Sequence, residues 1–198
     1  MSTNMTQRQV RAKQTKKKIL DTALSLLNKK HFNDITVDEI VTLSNTSKGA
    51  FYTHFKSKYE ILLEKFKEVD HFYEEIARSL PAEISSTEKI VRFSESQMVY
   101  LRDDWGKETY LTLYTNASPE HNYFMNKDRA LYRMINQFVQ EGQETGEFKQ
   151  DLSPDEITAL IARCMRGTLF DWCIQDDRFD LVTETKKLIR TFLEGLKP

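Results

Sequence analysis

Four times along this chain a Ser or Thr is followed three residues later by Glu and then by apolar residues recurring at helical spacing. The four runs are Thr36-Val-Asp-Glu39, Ser57-Lys-Tyr-Glu60, Ser85-Ser-Thr-Glu88 and Ser153-Pro-Asp-Glu156. In such a capping box the hydroxyl accepts a free backbone N–H of the first helical turn, and the carboxylate reaches back to the cap residue. Pro154 stands at the first helical position, where a proline is best tolerated. Only six Gly and four Pro interrupt 198 residues. That scarcity favours long helices and excludes collagen-like, low-complexity and turn-dense β chains. With 39% hydrophobic residues a real core is available, and no stretch alternates convincingly enough for a strand. The expected class is all-α, with about nine helices.

Periodicity divides the chain. Residues 1–12 are expected to be flexible. A first helix follows to about Lys30, with Ile19, Ala23, Leu26 and Leu27 on one face. A short second helix carries Val37, Ile40 and Val41 and ends at Leu43-Ser-Asn-Thr46. Asn45 there tolerates the left-handed conformation that a tight helix–helix turn needs. A third short helix from Ser47 turns Phe51 and Phe55 to the core and leaves Lys48, Ala50, Tyr52, Thr53 and His54 more outward. A long fourth helix opens at Ser57 and stops at Pro81. Later helices are expected after Ser85, at Glu108–Thr115, at about His121–Glu144, after Ser153 and from Leu181. The domains expected are a head, residues 1–56, and a body, residues 57–198.

The formal net charge of −1 hides a split. Residues 1–60 hold 11 Lys/Arg against five Asp/Glu, a net of +6, whereas residues 61–198 carry a net of −7. A basic head on an acidic body suits a polyanion partner. Two short helices joined by a tight turn inside that head describe a helix-turn-helix, whose second helix enters a DNA major groove. Lys48 can reach a guanine edge or a phosphate, Ala50 a thymine methyl, and Ser47 and Thr53 either base or backbone. Tyr52 and His54 suit phosphate oxygens, as do Thr36 and Lys58 at their own helix starts. Gly49 permits close backbone approach.

The run Thr36-Val-Asp-Glu-Ile-Val-Thr-Leu-Ser-Asn-Thr-Ser-Lys-Gly-Ala-Phe-Tyr-Thr-His-Phe-Lys-Ser-Lys58 closely resembles the DNA-binding signature of the tetracycline-repressor (TetR) family. The resemblance covers about residues 14–63, with Phe51-Tyr-Thr-His-Phe55 before Ser57-Lys58 as its most diagnostic part. Asn45 departs from the family's usual Gly. A weaker resemblance runs from Gly142 through Leu196. The resemblance implies a homodimeric, all-helical transcription factor, most often a repressor that leaves a pseudo-palindromic operator when it binds a small molecule. It puts Ser47, Lys48, Gly49, Ala50, Tyr52 and His54 in the recognition helix and Thr36 and Lys58 on phosphates.

In the body, aromatic and soft residues suggest a chamber for a moderately apolar effector: Phe93, Tyr100, Tyr110, Tyr114, Phe124, Phe138, Cys164 and Met165, with Gln97 and Thr168 as polar orienting groups. The broad apolar stripes Ile157, Leu160, Ile161 and Trp172, then Leu188, Ile189, Phe192, Leu193 and Leu196, are expected to form the dimer interface. Helical spacing alone equally allows all of these to be core. Competing readings are a DNA-binding regulator controlled by a protein partner and, remotely, a helical enzyme. The sequence offers no Gly-rich phosphate loop, HExxH or CxxC, so no catalytic group, cofactor or metal is expected. Cys164 and Cys173 are nine residues apart, on opposite faces of one helix. Reduced thiols, no membrane span and a cytoplasmic location are the matching expectations.

Overall fold

The computed structural model describes residues 6–27, 29–115, 126–175 and 178–198, and only the backbone of residues 65, 66 and 68. All regular structure among these residues is helical. The elements are α1 (Gln7–Leu27), α2 (Val37–Leu43), α3 (Lys48–His54), α4 (Lys58–Ser79), α5 (Ser86–Tyr100), α6 (Gly106–Thr115), α7 (Ala130–Glu144), α8 (Pro154–Ile174) and α9 (Leu181–Glu194). A 3₁₀ turn at Phe32–Asp34 precedes α2, and a π-helical turn at Leu101–Trp105 joins α5 to α6. None of these helices is long and apolar enough to cross a membrane.

Capping explains most starts. The hydroxyls of Thr36, Ser85 and Ser153 accept from the backbone N–H of Glu39, Glu88 and Glu156. At Ser153 the return bond from the cap's N–H to Glu156 completes the box. At α4, Glu60 reaches one residue further back, to the Lys56 amide at 2.7 Å. Thr6 and Gln9 form a further box: the Thr6 amide donates to Gln9 Oε1 at 2.8 Å and the Gln9 amide to Thr6 Oγ1 at 3.3 Å. Residues 7–12, expected to be flexible, are therefore the opening turns of α1. The expected helix at 121–144 is α7 and starts at Ala130; residues 121–125 lie outside the described residues.

Two compact units divide the chain, Met1–Phe66 and Lys67–Pro198. The expected boundary at 56/57 falls ten residues earlier, because Ile61 at the start of α4 packs into the first unit's core. That core gathers Ile19, Ala23 and Leu26 of α1, Ile40 and Val41 of α2, and Phe51 and Phe55, all nearly or fully buried.

In the second unit α5 packs on α7 and α9, and α8 packs on α6, α7 and α9. Ile90, Phe93, Met98, Ile135, Val139, Ile157, Ile161 and Ile189 fill its interior. Glu147, in the α7–α8 connection, accepts from the amides of Ser86 and Thr87 at 2.8 and 2.9 Å and so closes the first turn of α5. Burial pushes the Glu147 carboxyl up, but these hydrogen bonds outweigh it and hold it below the usual carboxylate range. The connection folds back onto α7 because Gly142 has no side chain: a Cβ there would lie 2.3 Å from Phe148 Cδ2. Arg129, just before α7, is buried and paired with Asp70 of α4 at 3.0 Å.

Candidate nucleic-acid interface and body interior

The turn between α2 and α3 is a Schellman motif. The Thr46 N–H donates to Val41 O at 2.9 Å and the Asn45 N–H to Thr42 O at 3.1 Å. Asn45 takes φ 49°, the left-handed value expected where the family has Gly. Ser44 is fully buried beneath the turn, with its hydroxyl 2.7 Å from that of Thr46. The Ser47 hydroxyl then accepts from the Ala50 N–H and starts α3.

Anchoring decides which way α3 faces. Phe51 and Phe55 are 0% and 1% exposed, with ring centroids 5.7 Å apart. Their burial turns Ser47, Lys48, Gly49, Tyr52 and Thr53 to solvent and leaves Ala50 and His54 half-buried. Tyr52 is 57% exposed although its ring touches Phe51 edge-on. Thr53 donates its hydroxyl to Gly49 O at 2.8 Å, which leaves its oxygen lone pairs open to a partner.

Lys48 does not stand alone. Its ammonium lies 2.7 Å from Asp38 Oδ1, and that hydrogen bond and charge raise its pKa. Asp38 was not among the candidates, because nothing in its local sequence shows which residue across the turn it meets. Lys58, expected on a phosphate, has partners within its own unit. Its Nζ donates to the carbonyls of Phe32, Ile35 and Asn33 at 2.7, 2.9 and 3.3 Å and lies 4.5 Å above the Phe32 ring. Burial lowers its pKa. Lys58 thus ties α4 to the α1–α2 connection. Thr36 is exposed at the α2 start, its hydroxyl accepting from Glu39.

Gly49 is not required by the fold, since a Cβ there would meet only Ser47 Oγ at 3.8 Å. Gly49→Ala is expected to stabilise the head by up to about 1 kcal/mol through helix propensity. The same methyl is expected to weaken duplex binding about tenfold by keeping a nucleic-acid backbone at a distance. Thermal melts and fluorescence-anisotropy titrations check the two opposite signs; unchanged affinity would show that nothing approaches Gly49 closely.

Inside the second unit, the effector candidates separate. Phe93, Gln97, Tyr110, Phe138, Met165 and Thr168 are buried. Phe93 touches Phe138 and Tyr73, with centroids 5.9 and 5.7 Å apart. Tyr73 hydrogen-bonds Gln97, and burial is the main cause of its raised pKa. Gln97 Oε1 is buried with no hydrogen-bond partner among the described residues. Thr168 donates to Cys164 O at 2.9 Å. Tyr100 is half-buried and stacks on Phe72, while Tyr114 is exposed beside Tyr110 and Phe170. Phe124 lies outside the described residues. Tyr73 was missed: at helical spacing it is indistinguishable from any core aromatic. A surface cleft of about 460 Å³, bounded by Lys127, Tyr132, Arg133, Asn136, Asp155 and Thr158 among others, contains none of these candidates.

The interface candidates separate in the same way. Ile157, Ile161, Trp172, Ile189 and Leu193 are buried within the subunit and cannot face a partner. Leu188 is exposed, and Leu160, Phe192 and Leu196 are half-buried. Phe170 and Ile174, absent from the expected set, extend the exposed apolar surface of α8. Cys164 and Cys173 are free thiols whose pKa burial raises, Cys173 to about 11. Among the described residues no cluster of His, Cys, Asp or Glu could hold a metal ion.

Residues 19–64 match the bacterial regulatory proteins of the tetR family, and residues 66–195 match the C-terminal region of the YsiA-like proteins. The fatty acid metabolism regulator protein of Bacillus subtilis is 23% identical over 181 residues, covering 90% of this chain and 93% of that one. Two solved structures share the fold. FadR of Thermus thermophilus, a TetR-family transcriptional repressor in complex with lauroyl-CoA, has a TM-score of 0.76 and 22% identity over 91% of this chain and 94% of its own. FadR of Bacillus subtilis in complex with stearoyl-CoA has a TM-score of 0.71 and 21% identity over 91% and 98%. With the helix-turn-helix geometry, these matches establish that the chain belongs to the tetR family of bacterial regulatory proteins and is a DNA-binding transcriptional regulator.

Proposed function

We propose that the chain is a homodimeric repressor that sets two copies of α3 into a pseudo-palindromic operator and leaves it on binding a long-chain acyl thioester of coenzyme A. The observation that carries the DNA half is the fully buried Phe51–Phe55 anchor, which turns Lys48 and Tyr52 outward on one helix. One α3 reads only a few base pairs; two related by a two-fold axis, about 34–36 Å apart, read a symmetric site. The exposed side chains of Leu188, Phe170 and Ile174 supply apolar surface for pairing the subunits through α8 and α9. The acyl half draws on the two FadR proteins and on the second unit's interior, where apolar Phe93, Met98, Phe138 and Met165 are buried and so is the amide of Gln97. An effector releases DNA only if it binds the released state more tightly.

Selection of bound duplexes from a random pool tests the first half. A two-fold symmetric consensus is expected, and an asymmetric or absent consensus overturns it. Stearoyl-CoA added to the operator complex is expected to weaken binding at least about tenfold, whereas free coenzyme A leaves it unchanged. An operator affinity indifferent to acyl chains of 12 to 18 carbons would remove the acyl effector and leave DNA recognition standing.

A further inference from the structure

We infer that the first three turns of α1 form a second DNA-contacting element, a cationic arm laid along the phosphates that flank each half-site. This rests on α3 being the recognition helix. Between Thr6 and Leu20 the chain holds six basic residues, Arg8, Arg11, Lys13, Lys16, Lys17 and Lys18, and no acid. Yet the segment is helical from Gln7, started by the Thr6–Gln9 capping box. Residues 7–14 are all exposed, and the first core residue of α1 is Ile19. The twelve residues Gln7–Lys18 therefore precede the core as a rod of about 18 Å.

Within this rod the charges work against the helix. Arg8 and Arg11 are three residues apart, Lys13 and Lys17 four, so like charges neighbour one another on its surface. Among the described residues only Lys16 of the six has an acidic partner, Glu64 at 2.9 Å. A helical stretch that concentrates unneutralised cations and, over residues 7–14, buries nothing has little intramolecular reason to form. A polyanion removes the repulsion.

The rod also starts at the right place. Lys16 Nζ lies 5.6 Å above the ring of Phe55, the residue that ends α3. The arm thus begins beside the turn that follows the recognition helix, where the duplex backbone passes when α3 lies in the major groove. At 100° per residue Arg8 falls within about 20° of Ile19, on the side of α1 that packs toward α2 and α3. Arg11 lies about 60° away from Arg8. The occupant is duplex DNA outside the bases read by α3, recognised by charge and not by sequence.

The test is the full-length triple variant Arg8→Gln/Arg11→Gln/Lys13→Gln, titrated with the selected operator at several salt concentrations. Each lost phosphate contact lowers the slope of log affinity against log salt by about 0.9. A dimer that loses two to six contacts is expected to show a slope shallower by about 2 to 5 and affinity at least tenfold weaker at 0.1 M salt, with a melting temperature no lower than the parent's. On a duplex trimmed to the edges of the half-sites, parent and variant are expected to bind alike. Equal slopes on the long duplex overturn the arm, as does an equal deficit on the trimmed one. A parent that binds no duplex fails at α3 and is thereby distinguished from a failure of the arm alone.

Discussion

Arg129→Met is expected to destabilise the second unit by about 3 kcal/mol, measured by urea unfolding. The guanidinium is 3% exposed and meets the Asp70 carboxylate through Nε at 3.1 Å and Nη2 at 3.0 Å. Two N–H donors on one carboxylate fix the position of a planar group better than a point charge does. Arg129 is the cap residue of α7 and Asp70 lies in α4, so the pair sets where α7 begins. Removing the cation leaves a mostly buried carboxylate without its counter-charge, which costs far more than the net worth of the pair. The double variant Arg129→Met/Asp70→Leu therefore recovers most of the loss, because it removes both desolvation costs. A single variant within about 0.5 kcal/mol of the parent, or a double variant as unstable as the single, would show that the pair does not fix α7.

Much of this architecture is local chemistry and could be read in one dimension. Thr36, Ser85 and Ser153 start helices because a hydroxyl three residues before a Glu amide satisfies an orphan donor whatever surrounds it. Asn45 could be placed in the turn because few side chains tolerate φ near 49°. Phe51 and Phe55 could be assigned to the core because two large apolar rings four residues apart share one side of the segment.

What could not be read locally needed a partner from elsewhere in the chain. Lys58 at a helix start reads as a phosphate ligand, yet three carbonyls from residues 32–35 take its protons. Glu147 lies about sixty residues from the α5 amides that it closes. The α8 and α9 stripes were broader than one interface needs, and period alone could not separate Ile189, buried in its own subunit, from Leu188 beside it, exposed. Periodicity tells which residues share a face. It does not tell how many neighbours that face must serve.

The same limit makes two adjacent aromatic residues the sharpest test of the head. Phe51→Ala is expected to cost about 3–5 kcal/mol, since a fully buried ring leaves a cavity between α1, α2 and α3 that a small three-helix core cannot close. DNA binding is lost with it, for every sequence, because α3 no longer has an anchor. Tyr52→Ala removes a ring of nearly the same size one residue away. That ring is 57% exposed and touches Phe51 only by its edge, so the melting temperature should move by no more than a surface substitution allows, about 0.5 kcal/mol in stability. Its affinity for the operator and for unrelated duplexes should nevertheless fall together, at least about tenfold, because a tyrosine hydroxyl on a phosphate positions the protein without reading a base. Lys48→Ala should behave differently again: it frees Asp38, a carboxylate beside the duplex, and so lowers the preference for the operator over other sequences as well as the affinity. If Tyr52→Ala melts like Phe51→Ala, the ring belongs to the core and α3 is rotated from the orientation described. If Tyr52→Ala binds DNA like the parent, the outward face of α3 is not the face that meets DNA.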